Sequence, residues 1–113
     1  MVDIAEKSYT EKRLKQYRPF YFMLGNVGKP KDFSRFLIMA KACMEHDSYD
    51  EIGKITAPTL VIGADCDNIV GGKASEEIAE RINGSELKMY QGFGHGLYEE
   101  VKDFNQVVLE YLA

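Results

Sequence analysis

Two short apolar segments, set one helix length apart, constrain this chain more than any other feature. The first, Thr59-Leu60-Val61-Ile62, is continuous, β-branched and bounded by Pro58 and Gly63. Such a run reads as a strand buried on both faces. A helix is expected from about Lys73 to Ile82, with Ile78, Ala79 and Ile82 inward, and Asn83-Gly84 stops it. The second strand spans Glu86 to Tyr90. A helical crossover between consecutive strands makes them parallel and the connection right-handed. Val101, Phe104, Val108 and Tyr111 or Leu112 then mark a last amphipathic helix.

Parallel neighbours place both carboxyl ends on one sheet edge, where open α/β sheets carry their chemistry. The loop after the first strand is "GADCDNIVGG", Gly63 to Gly72; the loop after the second is "QGFGHG", Gln91 to Gly96. Asp67 and His95 each lie five residues past their expected strand ends. Adjacent strands run about 4.8 Å apart, so the two side chains can come within hydrogen-bonding reach. A carboxylate that accepts from one ring nitrogen fixes the imidazole tautomer and leaves the other nitrogen free as a base. The glycines around His95 allow close backbone approach and positive φ. Glycine-rich turns and single surface histidines are common in themselves; the joint pattern is what points to chemistry.

"APTLVIGADCDNIV", the helix after it, "SELKMYQGFGHGLYEE" and the closing helix together resemble the C-terminal end of the α/β-hydrolase fold. The resemblance covers residues 47 to 112. It implies a partial α/β-hydrolase fold, with 1–46 a cap-like helical segment and 47–113 a strand–helix–strand–helix part of the core. It also implies that Asp67 is the triad acid and His95 the triad base. Asp65 is the rival acid, but the "DNIV" that follows Asp67 fits the family's acid loop better.

Enzymes of this family carry the nucleophile in a Gly-x-Ser-x-Gly elbow that precedes the acid and the histidine in the chain. Serines stand at positions 8, 34, 48, 75 and 85, and none lies in that motif. No His-Gly-Gly oxyanion motif is present. Cys43 and Cys66 have no elbow either, and are expected to be reduced thiols rather than nucleophiles, a disulfide or a metal site. The chain is therefore expected to be a C-terminal fragment of a serine hydrolase that splits an ester, amide or similar bond, inactive by itself. A non-enzymatic oligomerising or partner-binding module is the alternative, and a small hydrolase that borrows a serine from a second copy is a third reading. A two-stranded sheet leaves a bare edge, so a homodimer or a separate N-terminal hydrolase half is the expected partner.

The first 46 residues read as interrupted helix. Asp3 to Tyr17 is rich in helix formers, and Pro19 breaks any continuation. "GNVGKPK", Gly25 to Lys31, reads as a loop. Asp32 is the expected N-cap of a helix whose stripe of Phe33, Phe36, Leu37, Ala40, Cys43 and Met44 faces a core. A short helical turn is expected around Tyr49 to Ile52. Lys7 to Arg18 is expected to be a solvated face, "YRPFYF" (Tyr17 to Phe22) packing or the lining of an apolar acyl pocket, and His46 a charge at a helix C-terminus.

With 113 residues, 45% of them hydrophobic, the chain suits one small domain, and its net charge of −4 with scattered basic residues argues against nucleic acid. No apolar run approaches a membrane span, and the polar N-terminus is no secretory signal, so the expected place is the cytoplasm. No cofactor or metal is expected.

Overall fold

A computed structural model describes residues 2–27 and 32–113. Helices α1 (Val2–Ser8), α2 (Glu11–Tyr17), α3 (Tyr21–Val27) and α4 (Ser34–Glu45) come first. Strand β1 (Leu60–Ala64), helix α5 (Ala74–Arg81), strand β2 (Glu86–Tyr90) and helices α6 (Leu97–Glu100) and α7 (Phe104–Leu112) follow. The two strands are parallel, pairing from Leu60 with Glu86 to Ala64 with Tyr90. The expected order and strand direction therefore hold.

Strand β1 does not stop at Gly63. It runs two residues past Ile62, pairing Gly63 with Met89 and Ala64 with Tyr90, and glycine suits position 63 because the space a side chain would need is already filled. A Cβ there would sit 2.4 Å from the Ser75 side chain and 2.8 Å from the Met89 sulfur. Glycine inside a strand marks such a close approach. Pairing then continues into the loops. The Asp65 N–H donates to the Tyr90 carbonyl at 3.2 Å, and the Cys66 N–H to the Phe93 carbonyl at 3.0 Å.

The core is small and lies at this end of the sheet. Ala64, Tyr90 and Leu97 are buried, with Ile62, Phe93, Val101 and Phe104 packed around them. Phe93 meets Tyr90 edge-on, ring centres 6.4 Å apart, and the Tyr90 hydroxyl donates to Asp103 at 3.2 Å. Burial on both faces of β1 is only partly reached: Leu60, Val61 and Ile62 remain half-buried. On α5, Ile82 at the C-cap is buried and Ala79 is half-buried, but Ile78 is exposed. The closing helix is two helices. Val101 lies between them, and Val108 and Tyr111 keep their half-buried positions on α7.

The N-terminal reading needs more correction. The helix over Asp3 to Tyr17 is divided at Tyr9-Thr10, where the Thr10 side chain caps α2 by accepting from the Arg13 N–H. Pro19 does not end the helical path. It occupies the first turn of a 3-10 segment, Arg18–Phe20, where its missing N–H costs nothing, and α3 follows directly. Gly25 to Val27 belong to α3 rather than to a loop, and residues 28–31 lie outside the described residues. Asp32 does its capping one residue early: its carboxylate accepts from the Ser34 N–H at 2.9 Å, and Phe33 occupies the N-cap. The turn expected near Tyr49 forms a 3-10 segment at Ile52–Lys54.

The stripe of α4 meets no core. Phe33, Phe36, Leu37 and Met44 are exposed, as is Cys43, and Ala40 is only half-buried. The aromatic cluster is similarly open, with Phe20 and Phe22 exposed. Periodicity alone shows that a helix has an apolar side, not that this chain supplies what covers it.

Candidate active site

The shared edge of β1 and β2 brings Asp67 and His95 together. The His95 Nδ1 lies 2.9 Å from Asp67 Oδ2. Because Ala64 pairs with Tyr90, the strands end level, and the acid lies three residues beyond its strand while the base lies five beyond its own. The equal offsets expected from sequence are corrected by the longer β1. The looser histidine loop makes up the difference, turning through Gly92 at φ +77°.

Asp67 is held from both sides. Its Oδ1 accepts from the Ile69 N–H at 2.8 Å and the Val70 N–H at 3.1 Å, while Oδ2 meets the imidazole. Burial pushes this carboxyl up, but the bonds from His95, Ile69 and Val70 outweigh it and leave it below the ordinary aspartate value. An ionised carboxylate can only accept, so Nδ1 carries the proton and Nε2 of the neutral ring keeps its lone pair. The Asp67 side chain is 10% exposed and that of His95 is 45% exposed. The carboxylate is fixed inside while the imidazole faces outward.

Asp65, the rival acid, is turned elsewhere. Its Oδ1 accepts from the Gly92 N–H at 2.6 Å, which ties the acid loop to the histidine loop. The same Asp65 carboxylate, hydrogen-bonded to the Cys66 thiol, pushes that thiol up together with some desolvation, the opposite of what a cysteine nucleophile needs. Cys43 and Cys66 are both free and exposed.

Among the serines, three are committed to local bonds. Ser8 donates to the Ile4 carbonyl, Ser34 to Asp32 and Ser85 to the Ala79 carbonyl. Ser75 was not singled out by the sequence, yet it lines a cavity of about 360 Å³ with Asp67, His95 and Tyr98. It is wedged over Gly63 on helix α5 and stands on no strand-to-helix elbow.

The glycines beside His95 serve a purpose that sequence reading did not identify. A Cβ at Gly94 would lie 2.6 Å from the Ser8 carbonyl oxygen, and one at Gly96 would lie 2.4 Å from the Tyr9 ring. The space is cleared for the N-terminal segment. The Lys7 to Arg18 stretch is thus more than a solvated face: Leu14 is buried, and Tyr9, Thr10 and Arg13 bond to Glu99 and Glu100.

A parallel strand pair with a crossover helix, and an acid and a histidine at its carboxyl edge, define the C-terminal part of an α/β-hydrolase fold. The whole-chain likeness agrees. The enol-lactonase from Burkholderia xenovorans LB400 superposes with a TM-score of 0.79 over 97% of this chain and 42% of that one, at 19% identity. Residues 40–113 match the TAP-like protein family, Abhydrolase_4, and the chain belongs to it. It is also 40% identical over 63 residues to a 2-hydroxy-6-oxononadienedioate/2-hydroxy-6-oxononatrienedioate hydrolase of Klebsiella pneumoniae subsp. pneumoniae, covering 55% of this chain and 22% of that protein. A bromoperoxidase from Bacillus anthracis shares 30% identity and a TM-score of 0.55, over 59% of this chain and 25% of that one. The chain thus spans less than half the length of these relatives. Among the described residues, no helix is long and apolar enough to cross a membrane.

Proposed function

We propose that Asp67 and His95 are the acid and base of a serine-hydrolase triad whose nucleophile and oxyanion hole lie outside these 113 residues. The 2.9 Å contact between His95 Nδ1 and Asp67 Oδ2 carries this reading. Asp67 orients the ring and stabilises the imidazolium. His95 Nε2 takes the proton from an incoming serine hydroxyl and later returns it to the leaving group. The serine attacks the carbonyl of an ester, amide or similar small-molecule substrate, and water releases the acyl group. This chain alone is inactive. Its working partner is the N-terminal hydrolase half, in the cytoplasm.

The test has two arms. The coding DNA upstream of Met1 is read for an in-frame Gly-x-Ser-x-Gly, and the chain is assayed with and without that segment on a p-nitrophenyl ester. Turnover is expected only with the segment, and His95→Ala lowers it by on the order of 10³-fold or more. Activity that survives His95→Ala and Asp67→Asn sinks the reading. Stoichiometric fluorophosphonate labelling of one serine in the chain alone overturns the claim of inactivity.

A second reading is favoured by the open faces of α3 and α4, where Phe22, Phe36, Leu37 and Ile38 are exposed. There the chain is an oligomerising module, joined as a homodimer through these faces or the free edge of β1. Size-exclusion chromatography with light scattering decides it: a clean monomer at high concentration rejects this second reading.

A further inference from the structure

The bonds between the N-terminal segment and helix α6, which directly follows the histidine loop, join residues 86 to 90 positions apart in the chain. One further bond adjoins His95 itself. The Gly96 N–H, next to His95, donates to the Ser8 carbonyl at 2.7 Å. The Thr10 N–H donates to Glu100 Oε1 at 2.9 Å, and the Thr10 hydroxyl donates to Glu100 Oε2. The Tyr9 hydroxyl donates to Glu99 Oε2, and an Arg13 guanidinium N–H to the Glu99 carbonyl, both at 3.0 Å. Burial, with Glu99 alongside, pushes the Tyr9 phenol up to about 12, so it remains a donor. Asp67 thus restrains the ring from the acid side, while residues 8–13 restrain its backbone from the other.

We propose that residues 8–13 form a latch that positions His95, with Thr10 and Glu100 as its positioning residues, so that the cap-like segment and the base move as one body. The importance of the latch for catalysis rests on the reading of His95 as the base. Its existence does not. A base must be held within a fraction of an ångström of its productive place. Asp67 can fix the ring only while the loop backbone stays put. A cap that shifts on substrate entry would then carry the histidine with it.

The test reads the position of the ring in the whole chain, by NMR exchange of the His95 Nδ1–H and the Gly96 amide. The amides of Gly63 and Met89 in the sheet serve as fold control. Glu100→Ala removes both acceptors of Thr10. It is expected to speed exchange at the two reporter sites by about tenfold, as losing charge-assisted bonds predicts. Glu100→Gln keeps the length and an acceptor, and stays within about threefold of the parent. Gly96 has an ordinary φ of −80°, so Gly96→Ala acts through the Tyr9 ring and not through strain. It reproduces the Glu100→Ala effect. If Glu100→Ala fails to fold, Thr10→Val is read in its place; it keeps the backbone N–H but removes both hydroxyl bonds, to Glu100 and from the Arg13 N–H that caps α2.

Unchanged exchange at His95 in Glu100→Ala and Gly96→Ala, with an intact sheet, overturns the proposal. So does equal acceleration at all four sites, which is the mark of a purely structural role. A ring that responds as expected while ester turnover of the full-length enzyme survives His95→Ala leaves the latch standing and removes the catalytic reading instead.

Discussion

Tyr90 and Phe36 are both large aromatic residues of one small chain, yet one is 9% exposed and the other 64%. Tyr90 ends β2, where the paired strand, α6 and α7 arrive with it, because the crossover connection brings its own neighbours. Phe36 lies on α4, whose apolar side meets no counterpart among the described residues. Burying such a side chain is worth about 1.5–3 kcal/mol, and α4 leaves several in water. Together these two residues show that a strand–helix–strand unit closes on itself, while an amphipathic helix depends on whatever the rest of the fold lays against it.

The sharpest way to break the comparison is truncation in the two regions. Tyr90→Ala removes a buried ring and its bond to Asp103, and is expected to cost about 3–4 kcal/mol, a large fraction of a small domain's stability. Phe36→Ala is expected to stay within about 0.5 kcal/mol. Chemical denaturation followed by circular dichroism checks both. Equal losses would mean that α4 is packed in solution and that the two regions do not differ.

Acid gives the next largest contrast. Asp67 and Asp32 are both held below the ordinary aspartate value, Asp67 by bonds that overcome its burial and Asp32 chiefly by the Ser34 hydroxyl and N–H. A carboxyl whose pKa is lower folded than unfolded contributes stability that is complete above its unfolded value. That contribution is lost as pH falls through the folded value. Asp67→Asn is therefore expected to cost about 1–2 kcal/mol near neutrality. The gap from the parent should close on the acid side of the ordinary carboxylate range. Asp32→Asn loosens only the first turn of α4, since that end touches no core. Parallel acid titrations of the two variants show the difference. A gap for Asp67→Asn that persists at the lowest pH would place its effect in packing rather than in charge.

These contrasts explain what could be read in advance. The strand run 59–62, the crossover and the Gly-x-Gly-His loop are local patterns whose consequences are fixed by the short connection between them. They therefore led to the parallel pair and to the meeting of Asp67 and His95. The end of β1 was misjudged because Gly63 resembles a stop until Ser75 and Met89 are seen to fill its place. The docking of Tyr9, Thr10 and Arg13 was invisible because their partners lie at the other end of the chain, and no local pattern links Thr10 with Glu100. The fate of the α4 stripe was not legible at all, since its periodicity is the same whether or not a partner exists.

The smallest expected effect tests how isolated α4 is. Its Lys41 and Glu45 form an i,i+4 pair at 3.6 Å, with both side chains well exposed. Such pairs contribute about 0.3–0.5 kcal/mol to a helix. In a helix docked on a core that amount is shared with the global unfolding transition. In one that stands by itself it is felt only locally. Lys41→Gln is therefore expected to leave the unfolding midpoint unmoved and to speed amide exchange within α4 by about twofold, with no change in β1 or β2. A shift of the midpoint, or faster exchange spreading to Gly63 and Met89, would show that α4 leans on the sheet after all and that Phe36 and Tyr90 share one cooperative unit.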